Sequence, residues 1–153
     1  MKAQFVPLVY DESCEEKLIG FLKECLPQSG RVLDLNGRHS FYNDIENSFE
    51  YFRVMYDGDD IIGTVGVRRL NDNDCELKSL YLLEEYHGRG YGKALLNDAV
   101  CFAKAAGYER MYLDTFSTST KAVGLYRRCG FRECERYNDN ERSDVFMCLD
   151  LTM

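Results

Sequence analysis

The chain has 153 residues, which is enough to bury one substantial hydrophobic core but too few for two ordinary domains. Its 45% hydrophobic and 29% charged residues, with only two prolines, exclude a disordered or fibrous protein. The net charge of -7 argues against a broad surface for nucleic acid or anionic membrane. We therefore expect a single domain, residues 1–153, in which any anion is bound locally.

The N-terminus lacks the apolar run of a signal peptide, and no stretch approaches the ~18 apolar residues of a membrane span. We therefore expect a cytoplasmic protein that binds neither membrane nor nucleic acid. The seven cysteines are scattered, none forms a Cys-x-x-Cys pair, and the chain has only two histidines. This pattern predicts reduced, mostly buried thiols and no metal site.

A short strand, a helix and a long loop are the first predicted elements. Residues 5–10 have the character of a strand. Apolar residues at helical spacing over residues 12–25 predict an amphipathic helix that ends before Pro27. Residues 28–48 are polar and show no sustained period, so we expect a long loop with one short helix near residues 42–49.

Three strands and a helix are predicted for the middle of the chain. Residues 51–56 and 61–69 are joined by an Asp-Gly turn, and residues 75–83 follow a second polar turn. This spacing predicts an antiparallel meander. After a glycine-rich run, apolar residues on one face of residues 91–106 predict a helix that ends at Gly107.

The last third of the chain reads as a strand over residues 111–114, a helix over residues 120–129 capped by Gly130, and two closing strands at residues 131–137 and 144–151. Antiparallel strands followed by alternating helices and strands predict an α/β (α+β) fold. Its sheet is mixed and mostly antiparallel, with helices on both faces. The exposed edge strands near the C-terminus leave a homodimer open.

A glycine-rich run lies between the third strand of the meander and the helix that follows. Backbone amides at a helix N-terminus point toward an incoming anion, and the glycines permit close approach and positive φ. The run therefore favours a pyrophosphate, with a plain tight turn as the alternative. A Walker A loop and the Gly-x-Gly-x-x-Gly dinucleotide fingerprint both fail to match. The residues concerned are His87, Gly88, Arg89, Gly90, Tyr91, Gly92 and Lys93.

In this position the run resembles the signature of the GNAT (Gcn5-related N-acetyltransferase) family. That signature is Arg or Gln, two residues, Gly, one residue, then Gly or Ala, opening a helix after the fourth strand. The sequence matches at Gly90 and Gly92 and departs at the first position, where His87 stands. Since that position acts in the family chiefly through its backbone amide and the loop geometry, the resemblance implies that coenzyme binding is retained.

A second block, residues 122–131, resembles the family's Ala-x-x-Leu-Tyr-x-x-x-Gly-Phe pattern, in which the helix packs along the coenzyme. The asparagine that often stands three residues before this alanine is Ser119 here. Together the two blocks and the order of elements cover roughly residues 51–151. The pair of motifs is much more specific than either one alone.

The resemblance implies an enzyme that transfers an acetyl group from acetyl-CoA, its co-substrate, to a primary amine of a small molecule or a protein, with no metal. Tyr126 would be the general acid at the coenzyme sulfur, and Glu76 would be the base, since a base glutamate in relatives occupies this strand position. Strand alternation predicts that Glu76 shares a face with Lys78, Leu80 and Leu82. The resemblance assigns the coenzyme contacts to Leu80, Tyr81, Leu82, His87, Gly88, Arg89, Gly90, Tyr91, Gly92, Lys93, Ser119 and Ala122.

Other interpretations remain open for the chain and for these residues. Tyr126 can be a packing residue and Glu76 a solvated carboxylate. Arg68 and Arg69 end a strand, where they can bind a substrate carboxylate or be solvated. A non-catalytic acyl-CoA-binding sensor or regulatory domain is the main alternative function. An unrelated domain whose glycine turn binds nothing is the third.

Overall fold

A computed structural model describes residues 6–153 of the chain, so residue 5 of the first predicted strand lies outside the described part. Within it the strands are β1 (Leu8–Val9), β2 (Tyr51–Asp57), β3 (Asp60–Arg69), β4 (Asp74–Leu82), β5 (Arg110–Thr115), β6 (Arg132–Glu133) and β7 (Val145–Asp150). The α-helices are α1 (Glu15–Gln28), α2 (Ile45–Ser48), α3 (Tyr91–Ala105) and α4 (Thr120–Arg128). Short 3-10 helices lie at Glu12–Cys14, Ser40–Asn43 and Glu84–Tyr86.

The described strands form one seven-stranded sheet in the order β1-β2-β3-β4-β5-β7-β6. The strands β2, β3 and β4 form the predicted antiparallel meander. Only the central pair, β4 and β5, is parallel. The predicted mixed, mostly antiparallel sheet is therefore confirmed.

Helices cover both faces of this sheet. On one face, the rings of Tyr51 in β2 and Phe102 in α3 stack with their centroids 4.7 Å apart. On the other face, Phe49 follows α2 and packs so closely on Gly66 of β3 that an added Cβ would lie 2.7 Å from its ring. Tyr51 and Phe49 belong to the buried core, and Phe102 packs against it.

The pairing of β3 with β4 contains a bulge. Thr64 lies opposite Tyr81, whereas Gly66 lies opposite Lys78, so β4 has one extra residue between these two pairs. Ser79 stands in this stretch with φ 59°, a value that non-glycine residues rarely adopt. An extra residue of this kind reverses the alternation of side chains beyond it.

The bulge corrects one prediction about β4. Strand alternation predicted that Leu80 and Leu82 share the face of Glu76. The register instead places Tyr81 on the face of Glu76 and Lys78, while Leu82 pairs with a residue of the opposite face. Leu80 lies within the bulge itself. The prediction was wrong because no sequence pattern marked the extra residue.

The strands β4 and β5 separate soon after they meet. Residues 74–76 are in register with residues 110–112, and no further pairs follow along the two strands. The sheet therefore opens into a wedge between the second half of β4 and the end of β5. In an open sheet, the carboxyl ends of adjacent parallel strands are a preferred place for ligands.

The helix α1 begins and ends three residues later than predicted, and Pro27 lies inside its last turn. A proline removes one backbone N–H and crowds the carbonyl four residues before it, so the helix ends soon after this position. Leu26 beside it is wholly buried, and its carbonyl accepts the backbone N–H groups of Ser29 and Arg31 at 3.0 and 2.9 Å. The buried leucine and these capping bonds hold the turn.

The first closing strand is much shorter than predicted. The sequence suggested residues 131–137, whereas β6 contains only Arg132 and Glu133. The chain then leaves the sheet edge, and Tyr137 and Asn138 donate hydrogen bonds to carboxylates elsewhere in the protein. Local strand propensity was overridden here by polar contacts from distant parts of the chain.

Residues 6–153 contain no helix that is long and apolar enough to cross a membrane, and no three His, Cys, Asp or Glu side chains arranged to hold a metal ion. The seven cysteines are free thiols. Cys14, Cys25 and Cys75 are buried, Cys101 is exposed and the others are half-buried, so the expectation of mostly buried thiols holds for three of them. Burial raises the pKa of Cys25 and of Cys75 to about 12, which keeps both thiols protonated.

Candidate active site

A cavity of about 970 Å³ opens where β4 and β5 separate. The two predicted catalytic residues, Glu76 and Tyr126, both line it, as do Leu80 and Tyr81. Glu76 lies at the last position where β4 and β5 pair, and Tyr126 lies on α4. Residues far apart in the sequence therefore meet at the wedge in the sheet.

Tyr126 is held by the end of its own helix. Gly130 ends α4 with φ 99°, and the next residue, Phe131, donates its backbone N–H to the carbonyl of Tyr126 at 3.0 Å. The rings of Tyr126 and Phe131 then lie 5.7 Å apart. A left-handed glycine that ends a helix explains the spacing of the Tyr-x-x-x-Gly-Phe pattern.

The hydroxyl group of Tyr126 faces the cavity. Within residues 6–153 it has no hydrogen-bond partner, and no fully buried side-chain oxygen in this range lacks one. The hydroxyl must therefore keep contact with open space, although the residue as a whole is only 6% exposed. Burial raises the pKa of Tyr126, and the nearby phenol of Tyr81 raises it further, so the hydroxyl is protonated at neutral pH.

Glu76 is also buried, with one carboxylate oxygen bound and the other free. Its Oε2 accepts the hydroxyl of Tyr137 at 2.6 Å, while Oε1 has no partner among the described residues. By the same reasoning as for Tyr126, Oε1 reaches the open cavity. Glu76 is thus an oriented acceptor and not a solvated strand carboxylate.

A second carboxylate, which the sequence did not single out, lies beside Glu76. Asp114 stands near the end of β5 and lines the same cavity. Its Oδ2 accepts Asn138 at 2.6 Å, and its Oδ1 accepts Ser143 at 2.6 Å and Asn140 at 3.0 Å. A polar residue at the carboxyl end of a central parallel strand was the signal that could have identified it.

Two donors bridge the carboxylates of Glu76 and Asp114. The hydroxyl of Tyr137 lies 2.6 Å from Glu76 and 3.5 Å from Asp114, and the amide of Asn138 lies 2.6 Å from Asp114 and 3.5 Å from Glu76. Burial, with the charge of Glu76 next, raises the pKa of Tyr137, so it acts only as a donor. The segment after β6 therefore closes the cavity through the two acids.

The glycine-rich loop lies outside the cavity, beyond the end of β4. Gly88 and Gly90 have φ 78° and 86°, and an added Cβ on either would meet no other atom within 4 Å. These glycines are therefore required by the backbone conformation. At Gly92, whose φ is not positive, a Cβ would make an ordinary contact, 3.6 Å from Leu125 of α4. The N-terminus of α3 and the helix of Tyr126 are thus neighbours.

His87 ties the loop to the strand before it. Its Nε2 donates to the carbonyl of Leu82, the last residue of β4, at 2.8 Å. His87 therefore fixes the start of the loop that precedes α3, and it does not line the cavity. Arg89 and Lys93 are exposed, and neither has an ion pair with a described residue, so both charges are available to an anion.

Tyr91, Ser119 and Ala122, three further predicted coenzyme residues, do not line the cavity. Tyr91 begins α3, and Ala122 lies half-buried in the first turns of α4. Ser119 is the N-cap of α4, but its side chain makes no capping hydrogen bond.

The two arginines at the end of β3 differ in their surroundings. Arg68 lines the cavity, whereas its neighbour Arg69 is exposed and forms an ion pair with a turn residue outside the cavity.

The chain belongs to the acetyltransferase (GNAT) family, whose family model matches residues 9–131. Similar curated proteins include N-acetyltransferase 8B of Homo sapiens, 33% identical over 87 residues. The uncharacterized N-acetyltransferase YjgM of Escherichia coli is 32% identical over 88 residues. These matches cover 54% and 56% of this chain, and 38% and 52% of those proteins. The chain thus spans about half, or less, of the length of these relatives.

Solved structures confirm the fold. An acetyltransferase of the GNAT family from Staphylococcus aureus Mu50 is similar with a TM-score of 0.87 and 23% identity, over 97% of this chain and 99% of that one. The PaiA N-acetyltransferase from Thermoplasma acidophilum, solved in complex with coenzyme A, has a TM-score of 0.76 and 20% identity, over 97% and 99% of the two chains. At these identities the likeness concerns the fold alone.

Proposed function

We propose that the protein is an N-acetyltransferase that transfers the acetyl group of acetyl-CoA to a primary amine. The observation that carries the proposal is the meeting of the Tyr126 hydroxyl and the free oxygen of Glu76 in one cavity. Family membership and the coenzyme A bound to the PaiA protein support acetyl-CoA as the acyl donor. The acceptor is an amine of a small molecule or of a protein.

The described residues fit the coenzyme in two places. The backbone of the glycine loop and the N-terminus of α3 offer N–H groups to the pyrophosphate, with Arg89 and Lys93 as counter-charges. Beyond Glu76, the peptide groups of β4 that face β5 are not paired with that strand. The backbone of Leu80 and Tyr81 is therefore available to bind the acyl end of the coenzyme. The carbonyl of Leu82 already accepts a hydrogen bond from Nε2 of His87, so we assign no coenzyme contact to that carbonyl.

In the proposed reaction, the acceptor enters as an ammonium ion and loses one proton to the free oxygen of Glu76. The neutral amine nitrogen then forms a bond to the thioester carbon, and the bond between carbon and sulfur breaks. The hydroxyl of Tyr126 donates a hydrogen bond to the departing thiolate, which takes up a proton from solvent. The second proton of the nitrogen and the proton held by Glu76 both leave to solvent. The products are an amide and a free thiol.

The raised pKa of Tyr126 indicates how its hydroxyl assists the departure of the thiolate. A thiol has a pKa near 8.5 and an ordinary phenol a pKa near 10, so a phenol whose pKa is raised is the weaker acid of the two. Tyr126 therefore stabilises the thiolate mainly as a hydrogen-bond donor, and solvent completes the protonation. Its protonated state over the whole neutral range makes it a constant donor.

The test mixes the purified protein with acetyl-CoA and a panel of primary amines and measures the release of free thiol. We expect amine-dependent release, and a loss of at least tenfold in kcat/KM for Glu76→Gln. Tyr10→Phe is a control variant, since Tyr10 packs on Phe52 and does not line the cavity. A rise in melting temperature with acetyl-CoA, but no release with any amine, would instead support the non-catalytic acyl-CoA-binding sensor. No rise and no release would refute both.

A further inference from the structure

Cationic side chains are concentrated in one cavity of this acidic protein. The chain has a net charge of -7, yet five cationic side chains line this cavity, beside the acidic Asp34, Glu76, Asp114 and Asp139. None of them forms an ion pair with a residue of the described range, where the arginines in ion pairs are Arg53, Arg69, Arg110 and Arg127. The five cavity cations are Arg31, Arg38, Arg68, Lys78 and Arg142.

Two of these cations converge on one aromatic ring. The guanidinium carbon of Arg68 lies 6.0 Å from the ring centroid of Phe41, and the ammonium nitrogen of Lys78 lies 5.2 Å from it. Both side chains are half-buried and belong to the same face of the sheet. Two like charges that are partly removed from water without a counter-ion are unfavourable together. An anion held between them would relieve this cost.

The register of the sheet places this pair next to the proposed base. Arg68 lies directly opposite Glu76 in the ladder of β3 and β4, and Lys78 follows Glu76 by two residues on the same face. Opposed residues in an antiparallel ladder have Cα atoms about 4.5–5.5 Å apart. Arg68 still forms no ion pair with Glu76, whose bound oxygen is turned toward Tyr137. An anion site and an amine site therefore lie within the span of one small molecule.

We propose that the acceptor is a free amino acid or a similar small amino carboxylate. Its carboxylate is held by Arg68 and Lys78 while its amine lies at Glu76. The planar guanidinium of Arg68 matches a carboxylate with two parallel hydrogen bonds, and both cations lie over the ring of Phe41. This inference rests on the proposed acetyl transfer and narrows its acceptor.

Arg69 provides a matched control for Arg68. It is the next residue along β3, and it is exposed, paired with Asp72 and outside the cavity. Methionine in place of either arginine keeps an unbranched apolar stem and removes the charge. Lys78→Met does the same at the second cation. The melting temperature of each variant, measured first, identifies any that does not fold.

The experiment compares amino acids with their carboxamides as acceptors, for example glycine with glycinamide and β-alanine with β-alaninamide, extended to the larger amino acids. The amine of a carboxamide is less basic, so more of it is in the reactive free form at neutral pH. A preference for the acid is therefore not explained by amine reactivity. We expect the wild type and Arg69→Met to prefer the acids.

Loss of a hydrogen-bonded charge partner predicts that Arg68→Met lowers kcat/KM for the acids by roughly 10- to 100-fold. In the same variant, kcat/KM for the amides and the KM for acetyl-CoA should stay within about threefold of the wild-type values. The amides have no carboxylate, so they do not use the charge that the substitution removes. Lys78→Met should shift the ratio in the same direction. If Arg68 had only a structural role, the substitution would lower kcat/KM for the acids and for the amides alike.

Three results would overturn the inference. One is equal or better turnover of the amides by the wild type, and another is a loss of acetyl-CoA affinity in Arg68→Met, which would make the pair a coenzyme site. The third is no turnover of any amino carboxylate although acetyl-CoA raises the melting temperature. In the first of these cases the acetyl transfer itself still stands, since thiol release is observed. Absence of both the melting shift and any turnover would refute the proposed function instead.

Discussion

The hydroxyl of Tyr126 can be removed with little effect on the fold, which makes Tyr126→Phe the sharpest test of the proposed chemistry. The hydroxyl has no hydrogen-bond partner in residues 6–153, so its loss leaves no buried group unsatisfied. The ring keeps its contact with Phe131. We expect the free energy of unfolding to change by no more than about 0.5 kcal/mol.

The effect on kcat follows from the role of the hydroxyl as a donor to the thiolate. A hydrogen bond to a charged group contributes about 1.5–3 kcal/mol, which corresponds to a loss of roughly 10- to 100-fold in kcat. Complete proton transfer by a well-matched acid would be worth up to about 10⁴-fold. The raised pKa of Tyr126 favours the smaller range.

The assay measures kcat by thiol release between pH 6 and pH 10 for the wild type, Tyr126→Phe and Tyr10→Phe. Since burial raises the pKa of Tyr126, the wild type should show no loss of kcat toward pH 10 from ionisation of this residue. Tyr10→Phe should behave as the wild type. A loss below about threefold in Tyr126→Phe, with the fold intact, would refute the assignment of Tyr126 as the donor.

Three further predictions concern the loop, the second carboxylate and a buried histidine. Gly90→Ala should lower the free energy of unfolding by about 1 kcal/mol, because its φ is 86°, whereas Gly92→Ala, a change that the family signature allows, should leave both stability and the KM for acetyl-CoA nearly unchanged, as thermal melts and kinetics would measure. Asp114→Asn should lower the free energy of unfolding by about 1–3 kcal/mol in urea titrations, since it accepts three short hydrogen bonds, and the exposed Asp139→Asn should not. Burial lowers the pKa of His39, so the unfolded chain binds more protons below the ordinary value of about 6.5, and stability should fall as the pH drops through this range. Urea titrations at pH 7.5 and 5.5 would measure that fall, which should be absent in His39→Gln.

The sequence predicted the main elements because their signals are local. Alternating apolar residues, an Asp-Gly turn and the glycine that ends α4 each depend on a few neighbouring residues. The boundaries of β2, β3, β4 and α3 accordingly agree with the structure to within one or two residues. The meeting of Glu76 and Tyr126 was predicted by resemblance to the family.

The missed features depend on contacts between distant parts of the chain. The extra residue at Ser79 is visible only against the register of β3, and its side chain lies 2.5 Å from the hydroxyl of Tyr42. The role of Asp114 depends on Asn138, Asn140 and Ser143, which lie between the two predicted closing strands. The absence of an ion pair at Arg68 could be predicted only from the orientation of every neighbouring carboxylate in the folded protein. Only Asp114 had a local signal, its place at the carboxyl end of a central strand. The other two features have no local pattern in the sequence.

The separation of β4 from β5 divides the sheet into two plates. One plate consists of β1 to β4 and the other of β5 to β7, and they share only three positions of register at one end. Peptide groups of β4 that face β5 beyond that junction lack the cross-strand partners that protect amide hydrogens from exchange with solvent. Hydrogen exchange should therefore be faster along the inner border of each plate than one strand away. A ligand that spans the wedge would supply the missing partners and join the plates into a single unit.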